Sequence, residues 1–341
     1  MLFRSSAMEI SIDGKTLVPG DDFIVYPYSA GADRTCHLRV MTKYPGPEIF
    51  NTDPATCHAV VADSLAPNEH NLLFSDLESG KIKHGALILL QQKKLTWSVA
   101  RSHYRIPVLS ILQYFVPASA REISMRIDEQ FIGKYKVSNL GGYIRGSQIP
   151  DSFIVFSAHY DHLGMMGSSV LFPGANDNAS GVSMLLNLAK YFSMNAHRPK
   201  CSVAFIAFAG EEAGLLGSEY YTGHPLFPLS KIKFLINLDL LGTGDEGMMV
   251  VNATEYPMQF HILDSLNTSG KFLPRLGERG KAKNSDHYWF TEKGVPSFFF
   301  YTLGGIQAYH DIYDRSETLP FTAYEKVFRL IVEFKIGRAH V

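Results

Sequence analysis

His159, Asp161, Asp177, Glu211, Glu212, Asp239 and His310 are imidazoles and carboxylates, and each sits at the end of an apolar run or in a glycine-rich loop. Imidazole nitrogen and carboxylate oxygen in near-tetrahedral array suit Zn²⁺, and a catalytic zinc site keeps one position for water. Two such ions about 3.5–4 Å apart can share a carboxylate and a hydroxide, lowering the pKa of the water and polarising a substrate carbonyl. A carboxylate left unligated beside them can serve as general base, an effect of about 10²–10⁴-fold. Co²⁺ and Mn²⁺ also suit these donors, because affinity alone does not choose between such cations. Peptide hydrolysis is the natural reaction for the set.

The elements that must hold these side chains are visible as apolar runs. SFIVFSA (152–158), SVAFIAFA (202–209) and IKFLINLDLLG (232–242) read as strands of a sheet buried on both faces. Ligands of such sheets bind beyond the carboxyl ends of the strands, where His159, Glu211, Glu212 and Asp239 fall. Residues two apart in an extended segment face the same way, so Asp161 is expected to accept the second ring N–H of His159 and orient it. Glu211 and Glu212 are neighbours, and an extended backbone points them to opposite sides, one to ligate and one to act as base. Residues 179–194 have helical apolar spacing with Asn178 or Ser180 as cap, which puts Asp177 beside a helix N-terminus. Further helices are expected at 215–221, in YPMQFHILDSLNTSG, in SDHYWFTEKGVP and in FTAYEKVFRLIVEF, with strands at GMMVVNAT and SFFFYT. Strands alternating with helices predict an α/β fold with a mixed, mainly parallel sheet sandwiched by helices.

Five motifs follow in order: His-x-Asp at 159–161, Gly-x-x-Asp-Asn-x-x-Gly at 174–181, Gly-Glu-Glu at 210–212, Asn-x-Asp at 237–239 and Tyr-His at 309–310. Together they resemble the M28 family of dizinc aminopeptidases over residues 122–335. The resemblance implies a zinc-exopeptidase fold that removes N-terminal residues from peptides through a metal-bridging hydroxide. It also implies that Asp177 bridges two zinc ions. His159 and Asp239 would complete one site, Glu212 and His310 the other, with Glu211 as the base and a cis peptide after Asp177. A carboxypeptidase of the same family, a one-zinc glutaminyl cyclase and a non-catalytic receptor-like module are the rival expectations. The complete ligand set and the paired glutamates argue against the last two.

With 341 residues, 46% hydrophobic, 19% charged and a formal net charge of −1, the chain has the composition of an ordinary globular protein. Its charge balance gives no sign of nucleic-acid binding, and no apolar run approaches the roughly 20 residues of a membrane helix. Peptides are therefore the expected partners, and the oligomeric state is left open. Residues 1–120 differ from the rest. They alternate apolar and polar residues around the turn signals Asp13-Gly14 and Pro19-Gly20, with a short helical or irregular piece near Leu95–Arg101. This resembles, weakly, a protease-associated accessory domain, with a plain β-sandwich as the alternative, and no catalytic role is expected of it. Residues 121–335 form the expected catalytic domain, opening with REISMRIDEQF and KYKVSNLGGYIRG. Cys36 and Cys57 are candidates to pair, while Cys201 opens a core strand. MLFRSSAMEISIDG lacks the apolar stretch of a signal peptide, although the resemblance implies a secreted or periplasmic protein. The closing IGRAHV (336–341) resembles translated sequencing adapter and is expected to be non-native.

Overall fold

The computed structural model describes residues 2–4, 7–44, 46–51 and 53–338. The chain divides into two compact units.

The first comprises the chain up to Tyr135 together with Leu163–Phe172 and His310–Ile312. Its eight-stranded sheet runs Lys15–Thr16, Met8–Ile12, Glu122–Ile127, Ala32–Met41, Thr56–Val61, Leu87–Gln91, Val108–Leu112, Phe23–Val25. The strands from Ala32–Met41 to Val108–Leu112 are parallel. A parallel pair needs a crossover, and the helix Pro67–Glu78 makes it between Thr56–Val61 and Leu87–Gln91. Leu73 and Leu77 of that helix pack with Val60, Leu87, Leu89 and Val108, while Ile88, Leu90, Leu109 and Ile111 face the opposite core. Both faces of LILL are therefore buried, which is why it reads as a continuous apolar run. A helix-covered sheet thus replaces the plain β-sandwich, with its helix at Pro67–Glu78, and the piece near Leu95–Arg101 is the irregular one of the two expected forms. The start of the helix has Pro67 in the first turn and Glu69 accepting the Ala66 N–H at 2.9 Å, a capping pattern that the sequence displays. Cys36 and Cys57 are paired, with Cα atoms 5.6 Å apart.

Glu122–Ile127, expected to open the catalytic domain, instead pairs between Met8–Ile12 and Ala32–Met41. Alternation marks a half-buried strand and leaves its neighbours undetermined.

The second unit comprises Lys136–His162, Pro173–Tyr309 and the chain from Tyr313 onward. Its seven strands are ordered Leu140–Ile144, Cys201–Phe208, Ile149–His159, Ile232–Leu238, Ser297–Leu303, Gly247–Val251, Leu276–Arg279. The four from Cys201–Phe208 to Ser297–Leu303 are mutually parallel. Leu140–Ile144 is antiparallel at one edge, and Gly247–Val251 is antiparallel to Ser297–Leu303. The helices Gly181–Ser193, Pro257–Gly270 and Tyr324–Arg338 cover one face through Met184, Leu188, Leu263, Val327 and Leu330. Leu216–Gly223 and His287–Glu292 cover the other through Tyr221 and Phe290. Along Ile149–His159, Ile154, Phe156 and Ala158 enter the first core and Val155 the second. This is the period of two expected of a strand. The mixed, mainly parallel sheet between helices is the fold the sequence predicts. Residues 336–338 lie within the last helix, and 339–341 lie outside the described residues.

Candidate metal centre

His159 is the last residue of its strand and is 1% exposed. Its Nδ1 lies 3.0 Å from the main-chain carbonyl of Asp161. Its Nε2 faces Asp177 Oδ1 at 3.3 Å and Asp239 Oδ2 at 3.4 Å. A ring that donates from Nδ1 has a lone pair on Nε2 when neutral. That lone pair would meet two anionic oxygens, so the pocket requires either a proton or a cation there.

Asp177 lies in a tight turn, Ala175–Ser180, whose Asp177–Asn178 peptide is cis, the isomer the motif implies. The N–H groups of Asn176 and Asp177 donate to the Asp314 carboxylate at 2.7 and 3.0 Å. Asn178 Nδ2 donates to the Leu238 carbonyl, and Asn178 Oδ1 accepts the Gly181 N–H, each at 3.0 Å. Gly242 N–H reaches Asn176 Oδ1 and Leu241 N–H reaches Ser180 Oγ, both at 2.8 Å. The turn that carries Asp177 is thereby stitched to the segment that carries Asp239. A buried chain also approaches Asp239 from its own strand. Ser157 Oγ donates to Asn237 Oδ1, Asn237 Nδ2 to Ser285 Oγ, and Ser285 Oγ to Asp239 Oδ2 at 3.1 Å.

Glu211 and Glu212 follow Cys201–Phe208 in a turn, with the Gly214 and Leu215 N–H groups donating to the Glu211 carbonyl. The extended backbone expected here is absent, because Gly210 and Leu215 adopt positive φ and wrap the chain back. The two carboxylates nevertheless separate. Among the described residues, His159, Asp177 and Glu212 form one group able to hold a metal, and His159, Glu211 and Asp239 form another. Glu212 Oε1 also lies 2.8 Å from His162 Nδ1.

Asp161 departs from its expected contact. Its carboxylate is 3.9 Å from His159 Nδ1 and instead accepts the N–H groups of Glu211 and Glu212, both at 3.2 Å. Orientation of His159 passes to the Asp161 carbonyl, because the chain after the strand turns its main chain toward the ring. Asp314 holds the Asp177 turn. His310 packs with the first unit, where its Nδ1 is 3.1 Å from the Trp97 carbonyl. Asn178, a candidate cap in the sequence, accepts the N–H of Gly181, the first helical residue, whereas Asn176 and Ser285 are supports that the sequence does not single out. Asn237 carries a visible signal, since it lies two residues before Asp239 on a strand and shares its face.

Burial raises the carboxyls of Asp161, Glu211 and Asp239 above their ordinary values and takes Asp286 up to about 7. Burial disfavours a charged His159 ring, but Asp239 and Asp177 outweigh it and hold the ring well above its usual value. The main charged influences on these acids are His159 and one another. Asp239 Oδ1 is buried and makes no hydrogen bond among the described residues. Crowded, desolvated carboxylates are costly unless cationic charge joins them. The donor set of imidazole and carboxylate oxygen fits zinc.

Fold and donor set together define a metalloprotein built on an α/β sandwich. The sequence profile of peptidase family M28 matches residues 139–335, and the chain belongs to that family. A "Probable zinc metalloprotease" of Pyricularia oryzae is 33% identical over 140 residues, 40% of this chain and 27% of that protein. Aminopeptidase YwaD of Bacillus subtilis is 29% identical over 224 residues, 63% of this chain and 47% of that protein. The chain thus spans about a quarter to a half of the length of these curated relatives. BSAP, a solved zinc aminopeptidase from Bacillus subtilis, shares the fold with a TM-score of 0.73 at 22% identity, over 99% of this chain and 83% of its own.

Proposed function

We propose that this protein is a dizinc aminopeptidase that hydrolyses N-terminal residues from peptides. The observation that carries the reading is the gathering of Asp177, Glu211, Glu212 and Asp239 around His159 in two metal-capable groups. His159, Asp177 and Asp239 would hold one ion, and Asp177, Glu212 and His310 the other, the last resting on the motif. Ions so held supply charge that polarises the scissile carbonyl and acidifies a water molecule. Glu211 takes the proton of the attacking water on its carboxylate and returns it to the leaving nitrogen. Asp161 fixes the backbone from which Glu211 and Glu212 project. Five carboxylates against two divalent ions leave the site negative, which favours a free α-ammonium over a terminal carboxylate and so favours an aminopeptidase over a carboxypeptidase. A secreted or periplasmic setting is part of the proposal, supported by the Cys36–Cys57 pair, since disulfides persist in oxidising compartments.

The test is hydrolysis of aminoacyl-nitroanilides and matched N-blocked peptides, alongside elemental analysis. Two equivalents of zinc, or of Co²⁺ or Mn²⁺ after exchange, with turnover confined to free N-termini is the expected result. Turnover of C-terminal residues would replace the reading with a carboxypeptidase. One zinc with cyclisation of N-terminal glutamine would replace it with a cyclase, and no metal with no turnover would leave a receptor-like module.

A further inference from the structure

His310 has a φ of 53°, a left-handed conformation that residues other than glycine adopt sparingly. Something has to hold it there, and within the first unit the main chain of Trp97 does so from two sides. Trp97 N–H donates to the His310 carbonyl at 2.8 Å, and His310 Nδ1 lies 3.1 Å from the Trp97 carbonyl. Trp97 is itself anchored. Its ring is 4% exposed, donates from Nε1 to the Val25 carbonyl at 2.8 Å and stacks on Phe172 with centroids 4.8 Å apart. One residue beyond His310, Asp311 pairs with Lys94 at 2.9 Å, the carboxylate buried and the lysine largely exposed. Ile312 then enters the same hydrophobic core as Trp97 and Leu95.

We propose that the segment Lys94–Trp97 is a positioning element for His310, setting the tautomer of its imidazole. A carbonyl acceptor at Nδ1 places the ring proton there and assigns the lone pair to Nε2, the form in which imidazole ligates. The inference rests on the assignment of His310 as a ligand, and the experiment separates the two.

Metal-stripped protein is titrated with Co²⁺, following its visible absorption, and with Zn²⁺ against a competing chelator. This is done for wild type, Lys94→Met, Lys94→Arg, Trp97→Phe and His310→Ala, with a thermal melt of each. Loss of one equivalent in His310→Ala establishes the ligand, and retention of both at wild-type affinity would overturn that assignment. If His310 is a ligand, Lys94→Met and Trp97→Phe should weaken one equivalent about 10–100-fold, the usual consequence of losing a group that orients a ligand. The other equivalent should be unchanged, and Lys94→Arg should restore the first. Wild-type affinity for both equivalents in Lys94→Met and Trp97→Phe would overturn the positioning role. Equal weakening of both equivalents would reduce it to general destabilisation and overturn it too. Lys94 is exposed enough for its replacement to fold, so the test stands even if Trp97→Phe does not.

Discussion

His159 Nε2, between Asp177 and Asp239, is where residue chemistry decides most. Glu211 belongs to the second of the groups around that ring, and among the described residues no hydrogen bond commits its carboxylate to a supporting role comparable to that of Asp161. Glu211→Gln keeps its shape and removes its basicity. Turnover should fall about 10²–10⁴-fold while elemental analysis shows the metal retained. Loss of metal together with turnover would make Glu211 a ligand and dislodge it as the base. The residue types here are legible in sequence because His, Asp and Glu at the carboxyl ends of apolar runs have few bland explanations when several occur together. What each carboxylate touches is not legible in the same way. Period-two spacing directs Asp161 to His159, but that spacing holds only within the strand, which ends at His159.

Secondary elements bring these residues together through backbone that has little freedom. Gly181 opens the helix after the Asp177 turn, and a Cβ there would run into Asn178 Oδ1 and the Leu238 carbonyl. Asn178 is the residue that ties the turn to the segment carrying Asp239. Gly181→Ala should therefore destabilise the fold by about 1–3 kcal/mol, the usual cost of overpacking, and weaken metal binding as Asn178 is displaced. Denaturant unfolding and a zinc titration would measure both. Unaltered stability and affinity would show that the turn is not the scaffold described here. Helices such as Gly181–Ser193 and Pro257–Gly270 were readable because apolar residues recur with helical period. Pro67–Glu78 escaped notice because its buried stripe is short, essentially Leu73 and Leu77, and its capping pattern was the stronger clue.

At the scale of the whole molecule, the acid cluster couples folding to metal and to pH. Asp161, Glu211 and Asp239 are raised by burial and Asp286 reaches about 7. In stripped protein the native state then holds more protons than the unfolded one, from the ordinary carboxylate value of about 4 up to about 7. Stability therefore falls as pH rises through that window. His159, also held above its usual value, acts in the same direction at higher pH. Metal binding needs Asp239 ionised and His159 neutral, so metal-linked stabilisation should grow with pH, reaching about 3–4 kcal/mol at 100–1,000 times Kd. Melts with and without chelator from about pH 5 to about pH 8 should show a widening gap. Taking the difference cancels remote groups such as His58, whose pKa burial lowers to about 4. A constant gap would mean that Asp239 and His159 do not receive the metal.

The order of apolar runs and the chemistry at their ends determined the fold class and the ligand candidates, because burial on both faces of a parallel sheet leaves a signature in every strand. Tertiary structure alone decided three further matters. Glu122–Ile127 joins the first sheet, Asp314 braces the Asp177 turn 137 residues away, and Trp97 clasps His310 across 213 residues of chain. The first is a choice of strand neighbours, and the other two depend on which main-chain N–H or carbonyl lies within reach of a side chain. Hydrophobic period records which face of an element is buried, whereas a hydrogen bond between distant residues leaves no periodic trace.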